Sequence, residues 1–347
     1  MGNIFILIFA AIAMLYIAWN LGANDAANPT STAVGSNAIS LKYAVILFAV
    51  FAAIGALVQG YMVMRTIGKG VVNPVDPIGA LVAAFSAGIV ITLITWRGMP
   101  ISTTHSIVGA VLGIGLGYII FNGENRINMS VVYKVVASWI ISPLIAMTLA
   151  IGLYVLFSRF ERYLASKGHD VEKVFRYILI GNLAFSAYSY GTNDIANATG
   201  VFITTTSSIL GTPDRTTMYI LAVIGSIGIA LGAFTWGYRV IETIGYKITR
   251  LDYVTGAAAV LSNAITVWSF STLPKIYFGY GMPISTTHAS VSSVMGVGIA
   301  KSKGLEGLNM RIVGWILISW LLTVPAAALM SLGIYAMVKL LLPMMGL

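Results

Sequence analysis

The chain has 347 residues, of which 58% are hydrophobic and only 9% are charged, and its mean hydropathy is +0.90. Soluble domains carry about 25% charged residues, so this composition excludes an ordinary soluble protein. There is no cysteine, which excludes disulfides and thiol chemistry. The net charge of +9 does not indicate nucleic-acid binding, because the basic residues lie in loops, where they set the orientation of membrane proteins.

Long apolar segments follow one another along the whole chain, and several exceed the roughly 18–20 residues needed to cross a bilayer. They cover residues 4–20, 43–64, 78–96, 106–121, 135–157, 174–190, 217–235, 253–273, 289–300 and 312–342. The sequence therefore predicts an all-α polytopic protein that is embedded in a lipid bilayer. The first segment runs directly into a polar motif without a convincing cleavage site, so we expect it to be retained.

Two short polar peptides occur twice, in the same order in each half of the chain. Gly22-Ala-Asn24-Asp25-Ala-Ala-Asn28 returns 169 residues later as Gly191-Thr-Asn193-Asp194-Ile-Ala-Asn197. Gly98-Met-Pro100-Ile-Ser102-Thr103-Thr104-His105 returns unchanged 183 residues later as Gly281-Met-Pro283-Ile-Ser285-Thr286-Thr287-His288. Paired polar motifs in an apolar protein indicate one central site that both halves build. We expect a single integral membrane domain with a first repeat over 1–158, a basic cytoplasmic linker over 159–173 and a second repeat over 174–347.

The distribution of basic residues predicts the orientation of the chain. If each Pro-Ile-Ser-Thr-Thr-His run is the tip of a re-entrant-like helical hairpin, each half has three full crossings plus the hairpin. An odd number of crossings inverts the second repeat relative to the first. The side that holds the linker then carries 12 basic residues and the other side six, which favours both termini outside. Five full crossings in each half would give the same termini.

The two hairpin tips predict an anion site. Proline bars continuation of a helix and glycine permits a sharp turn, so each Gly-x-Pro breaks the apolar run at Pro100 and Pro283. The helix then restarts with hydroxyl side chains, free backbone N–H groups and the positive end of the helix dipole, which together attract anions. The alternative is that these hydroxyls only bond to carbonyls of their own helix. The predicted anion ligands are Ser102, Thr103, Thr104, Ser285, Thr286 and Thr287.

The Asn-Asp motifs predict cation sites. Asp25 and Asp194 each follow an apolar segment, and a buried carboxylate is costly unless it meets a cation or a proton. Neighbouring amide oxygens complete an oxygen-only set that suits a hard cation such as Na⁺. We expect Gly22 and Gly191 to let the backbone unwind there; the alternative for Asp and Asn is helix capping. The predicted Na⁺ ligands are Asp25, Asn24, Asn28, Asp194, Asn193 and Asn197.

His105 and His288 begin the second arm of each hairpin. A hydrogen bond that braces the tip is the favoured role, and a proton relay is the alternative. An intramembrane hydrolase could use Ser102 or Thr104 beside His105 as nucleophile and base. A catalytic group of that kind is asymmetric and needs no second copy, so the sequence predicts no enzyme. A passive anion channel would not need the carboxylates.

These doubled motifs resemble those of the PiT family of inorganic phosphate transporters, and the resemblance covers nearly the whole chain. It extends to Thr66-Ile-Gly-Lys-Gly70 with Thr243-Ile-Gly-Tyr-Lys247, and to Ser138-Trp139 with Ser319-Trp320. It implies an inverted-repeat symporter in the cell membrane that imports inorganic phosphate, a homodimer, and no cofactor. It also implies Asn24 and Asn193 as phosphate ligands beside the tip hydroxyls.

The coupling ion in this family is Na⁺ in some branches, whereas others use H⁺ or carry metal–phosphate, and relatives carry sulfate. Many members have a glutamate near the positions of Ala52 and Val260, and this chain does not, which favours Na⁺ over H⁺. Asp25 and Asp194 would repel phosphate unless a cation neutralised them. Two unit charges about 4 Å apart interact by roughly 4 kcal/mol at an effective dielectric near 20. This energy is enough to make phosphate and the cation bind well only together.

Overall fold

The computed structural model describes residues 2–67, 71–211, 213–279 and 281–341. Within these ranges eight helical stretches are long and apolar enough to cross a membrane, which confirms the predicted all-α polytopic fold. The helices are α1 (Gly2–Asp25), α2 (Ala27–Gly35), α3 (Leu41–Gln59), α4 (Tyr61–Ile67), α5 (Pro77–Trp96), α6 (Thr103–Asn122), α7 (Met129–Ser166), α8 (Val171–Leu210), α9 (Arg215–Glu242), α10 (Tyr253–Phe278), α11 (Thr286–Ser302) and α12 (Met310–Leu341).

Four of the six aspartates begin helices. A capping side chain accepts a hydrogen bond from a free N–H of the first turn, and aspartate does this well. The four caps are Asp76 before α5, Asp170 before α8, Asp214 before α9 and Asp252 before α10. The two remaining aspartates, Asp25 and Asp194, are fully buried and cap nothing, so the capping alternative does not explain the Asn-Asp motifs.

Helices of one half pack against helices of the other. In chain order, α1 and α2 correspond to α8, α3 to α9, α5 to α10, α6 to α11, and α7 to α12. The largest contacts between the two halves are reciprocal: α1 packs on α9 and α3 on α8, while α6 packs on α12 and α7 on α11. The two repeats therefore share one core. The inversion of one repeat relative to the other stays a prediction.

The connection between the repeats is short. Helix α7 continues to Ser166 and α8 begins at Val171, so most of the predicted linker is helical and only residues 167–170 connect the two helices. At 1.5 Å per residue, the 38 residues of α7 span about 57 Å, well beyond the roughly 30 Å of bilayer hydrocarbon. Helix α7 is therefore too long to lie wholly within the bilayer hydrocarbon when it runs along the membrane normal.

Both Gly-x-Pro runs form the tips of helical hairpins, α5–α6 and α10–α11, as predicted. Gly98 turns the first tip with φ +68°, in the left-handed region that favours glycine. The chain then passes through the buried residues Pro100 and Ile101 into α6, which begins at Thr103. Pro283 and Ile284 stand in the same places before α11.

The prediction that Gly22 and Gly191 unwind the backbone is wrong. Helix α1 does break after Asp25, but Gly22 is helical, and α8 runs unbroken through Asp194. The glycines allow helices to touch instead. A Cβ on Gly22 would lie 1.8 Å from the backbone oxygen of Ile229 in α9, and one on Gly191 would lie 1.9 Å from that of Ala52 in α3. Such close crossings need small residues.

Candidate functional site

The two hairpin tips meet at the centre of the molecule. Thr287 Oγ1 of the second tip lies 3.1 Å from the carbonyl oxygen of Ile101 in the first, and Thr104 Oγ1 donates to that of Ile284 at 3.4 Å. The structure therefore brings together all six hydroxyl residues that the sequence predicts as anion ligands. Ser102 and Ser285 serve as N-caps: each Oγ accepts from the backbone N–H of the histidine three residues later, at 3.2 Å.

Asp25 connects both tips. Its carboxylate accepts from Thr103 Oγ1 of the first tip at 2.8 Å and from Thr287 Oγ1 of the second at 3.1 Å, and the residue is completely buried. A buried carboxylate needs such donors because burial removes its water. Movement of either tip would change the environment of this charge.

Asp194 has a different set of neighbours. It accepts from Asn197 Nδ2 at 3.0 Å and from Asn193 Nδ2 at 3.3 Å, both on its own helix α8. It is also completely buried. Among the described residues, the fully buried polar side chains include no lysine or arginine. The described part of the chain therefore provides no buried lysine or arginine to balance the two carboxylates.

Asn28 and Asn197 cross from one half to the hairpin of the other. Asn28 Nδ2 donates to Thr286 and Thr287 Oγ1 of the second tip, both at 3.2 Å. Asn197 Nδ2 donates to Thr104 Oγ1 of the first tip at 3.2 Å. These reciprocal bonds connect each motif helix to the opposite hairpin, so the site is completed only when both repeats come together.

Asn24 and Asn193 hold the tip of their own half. Asn24 donates to Met99 O at 3.1 Å and to Thr95 Oγ1 at 2.8 Å, and its Oδ1 accepts from the N–H of Ile101 at 3.2 Å. Asn193 likewise donates to the carbonyl oxygen of Ile284 at 3.1 Å and accepts from its N–H at 3.3 Å. Both amides are occupied with positioning the tips, and their predicted roles as phosphate and Na⁺ ligands stay predictions.

The two histidines are held by stacking. The ring centroids of His105 and His288 are 4.3 Å apart, and each lies 3.7 Å from a tryptophan ring, Trp139 for His105 and Trp320 for His288. No ring nitrogen of either histidine has a hydrogen-bond partner in the described part of the chain. Both rings are therefore packed against aromatic rings, and the role of the histidines in bracing the tips stays a prediction.

A cavity of about 120 Å³ reaches the site from one side. Thr104 and Asn197 lie at its inner end, and its walls are apolar, with Val71, Val131 and Val201 among them. Sequence reasoning did not find this cavity, nor Thr95 and its counterpart Ser271, which bonds Asn193 Oδ1 at 3.3 Å. Val71 and Val72 lie in the loop between α4 and α5, and Val131 lies in the first turn of α7, so the cavity extends from the centre toward one face of the molecule.

Comparison with known proteins agrees with this architecture. A model described as the phosphate transporter family matches residues 21–331. A relative from Pyrococcus furiosus named "Putative phosphate permease" is 34% identical over 98% of this chain and 97% of its own length, and one from Chlamydia muridarum is 30% identical over 96% and 98%. A solved structure described as "The sodium-dependent phosphate transporter" is similar with a TM-score of 0.82 and 31% identity, covering 97% of this chain and 99% of that one. None of these relatives is named as an enzyme, and this chain belongs to the phosphate transporter family.

Proposed function

We propose that the chain imports inorganic phosphate together with Na⁺, by alternating access around the site that both repeats build. One observation carries the proposal. Two completely buried carboxylates lie at the hydroxyl-rich tips that the sequence assigns to the anion: Asp25 bonds the tips directly, and Asp194 is joined to them through Asn193 and Asn197. The described residues include no buried lysine or arginine. An anion and two carboxylates at one place require cations.

Phosphate would be held by the hydroxyls and the N-terminal ends of α6 and α11. These are neutral groups with a favourable helix dipole, which bind an anion without a fixed counter-charge. The candidate ligands are Ser102, Thr103, Thr104, Ser285, Thr286 and Thr287, assisted by Asn24 and Asn193. Because no arginine or lysine side chain takes part, release does not require breaking an ion pair.

Na⁺ would bind at the carboxylates. Asp25 with Asn28, and Asp194 with Asn197, provide the hard oxygen ligands that suit this cation, with Asn24 and Asn193 adjacent. The similar solved structure is described as sodium-dependent, which supports the same coupling here. The glutamates that many PiT members carry are replaced by the buried residues Ala52 and Val260, so nothing titratable stands at those two positions.

Alternating access follows from the way the hairpins are held. Each tip contacts the other tip and the motif helices of the opposite half through a small number of hydroxyl and amide bonds. Bound Na⁺ and phosphate would add contacts to both tips at once, and their loss would let one hairpin move. The cavity that ends at Thr104 and Asn197 supports a route to the site from one side of the membrane.

The deciding experiment is uptake of labelled phosphate into proteoliposomes under an imposed Na⁺ gradient, with a proton gradient as the second condition. We expect uptake driven by Na⁺ and little driven by H⁺ alone. Uptake driven by H⁺ alone would make the chain an H⁺-coupled permease of the same family. Strong inhibition by sulfate but not by arsenate would make it a sulfate carrier. Location in the plasma or inner membrane, external termini and a homodimer belong to the same proposal.

A further inference from the structure

An open cavity of about 620 Å³ lies at the base of the second hairpin, the end opposite its tip, and we call it the base cavity. It forms where the connection from α9 to α10 meets the end of α11 and the connection that follows it. Two hydrogen bonds join these connections: the N–H of Asn309 donates to Ile248 O at 2.8 Å, and Thr249 Oγ1 donates to Gly307 O at 2.7 Å. The volume lies within the roughly 300–1,000 Å³ of small-molecule sites in proteins.

The charged side chains that line the base cavity are mostly basic. Lys247, Arg250 and Lys301 line it together with one acid, Glu306. Within the described residues, neither Lys247 nor Arg250 has an ion-pair partner, whereas Lys301 pairs with Asp252 at 2.7 Å. In the proposed orientation this face of the molecule is cytoplasmic. Three cations around one concave space, opposed by a single lining acid, indicate a site for an anion.

The first half shows that the fold does not need the charge of Lys301. Tyr118 and Lys301 are 183 positions apart, the same offset as the two tip motifs, so they occupy corresponding places near the ends of α6 and α11. Each bonds to the aspartate that caps the first arm of its hairpin. Tyr118 Oη donates to Asp76 at 2.6 Å, and Lys301 Nζ donates to Asp252 at 2.7 Å. A neutral hydroxyl is sufficient for this bond in one half, so the lysine adds a charge that the bond does not require.

We propose that the base cavity binds an anion with two or more linked phosphate groups, a free oligophosphate on the cytoplasmic side. Arginine binds phosphate oxygens through its planar fork of donors, and lysine binds them as a point charge. A single phosphate ion would fill only a small part of the cavity, whereas a chain of phosphate groups can reach several of its cations. The base cavity thus differs from the site at the tips, where the described residues include no buried lysine or arginine.

The base cavity is connected to both hairpins. Lys301 lies on the second hairpin, whereas Lys247 ends the π-helical turn 243–247 that continues α9. Thr243 begins this turn and lies against the first tip, since a Cβ on Gly98 would be 3.6 Å from its Oγ1. A ligand held by both lysines ties the second hairpin to the end of α9. These parts move relative to each other in the proposed alternating access, so the bound oligophosphate slows transport. This effect on the rate rests on the proposed function, whereas binding itself does not.

Binding is tested by calorimetric titration of the detergent-solubilised protein with tripolyphosphate, at constant ionic strength and without divalent cations. Lys247→Gln/Arg250→Gln removes two charges from the cavity and leaves the ion pair of the second hairpin in place. Lys42→Gln/Arg162→Gln is the matched control, because both residues are exposed, belong to the same predicted side and do not line the cavity. We expect the cavity variant to bind at least about tenfold more weakly than the wild type and the control, because charge-assisted bonds to phosphate are lost. Equal binding by the cavity variant and the wild type, or no binding by the wild type, would overturn the site.

The effect on transport is measured as the Vmax and the KM for phosphate in proteoliposomes that contain tripolyphosphate on both sides. In the wild type and the control we expect saturating tripolyphosphate to lower Vmax at least about twofold with KM unchanged, and in the cavity variant to change neither. A rise of KM with unchanged Vmax would place tripolyphosphate at the tips and overturn a separate site. An unchanged Vmax despite binding would overturn the connection to transport.

A lipid headgroup with two phosphate groups presents the same chemistry, and a third measurement separates the two sources. The solubilised protein is titrated with short-chain cardiolipin, alone and in the presence of tripolyphosphate. We expect cardiolipin not to displace tripolyphosphate. Displacement that the cavity variant abolishes would make this a lipid site and overturn the assignment to a free anion. Because neither titration involves an ion gradient, both decide the site even if uptake proves to be driven by H⁺.

Discussion

Asp25→Asn removes one negative charge from the site while it preserves the shape of the side chain. A cation about 4 Å from the carboxylate gains about 4 kcal/mol at an effective dielectric near 20. Since each 1.4 kcal/mol is a factor of ten in affinity, the loss corresponds to about a thousandfold. The amide also accepts through one oxygen only, whereas the carboxylate accepts from Thr103 through one oxygen and from Thr287 through the other. We therefore expect the Na⁺ needed for half-saturation to rise beyond usable concentrations.

The assay is uptake of labelled phosphate at a series of Na⁺ concentrations. Asp252→Asn is the matched control. The pKa of Asp252 lies below its ordinary value, because burial raises it but hydrogen bonds from Lys301 and Thr255 lower it more, so the control removes the same charge. Its ion pair with Lys301, at 2.7 Å, lies outside the membrane spans and is worth about 0–1 kcal/mol. Asp194→Asn should behave as Asp25→Asn does, and normal Na⁺ stimulation in either variant would refute the coupling model.

Three further results are expected. Single cysteines at Asn125 and Pro213 should label only from outside and one at Lys167 only from the cytoplasm; labelling of 125 and 167 from the same side contradicts the predicted topology. Gly191→Ala should lower the Tm and the uptake, because the new Cβ would lie 1.9 Å from a backbone oxygen and overpacking costs about 1–3 kcal/mol or more. The control Gly152→Ala should change neither, because nothing lies within 4 Å of its Cβ. Arsenate should compete with phosphate and sulfate should not, because acceptors at the site can form a hydrogen bond with the proton that phosphate keeps and sulfate lacks. Each unmatched acceptor costs about 1–3 kcal/mol, so we expect a tenfold to hundredfold preference for phosphate over sulfate. Inhibition by sulfate but not by arsenate would contradict this selectivity.

The sequence by itself determines much of the architecture. Apolar runs predict the helices, Gly-x-Pro predicts the two hairpin tips, and both are present in the structure. The doubled motifs identify the centre, because polar residues are kept twice in an apolar chain only where both copies are used.

Only the tertiary structure decides what these residues touch. The bond from Thr287 to Asp25 joins positions 262 apart in sequence, and no local pattern specifies such a partner. The sequence does not show whether a helical glycine permits unwinding or a close helix crossing. In the structure, a backbone oxygen of a neighbouring helix lies against Gly22 and against Gly191, so both glycines permit a close crossing. In the same way, Arg250 lies 51 positions before Lys301 in sequence, and both line the base cavity only because the connections beside them are bonded to each other.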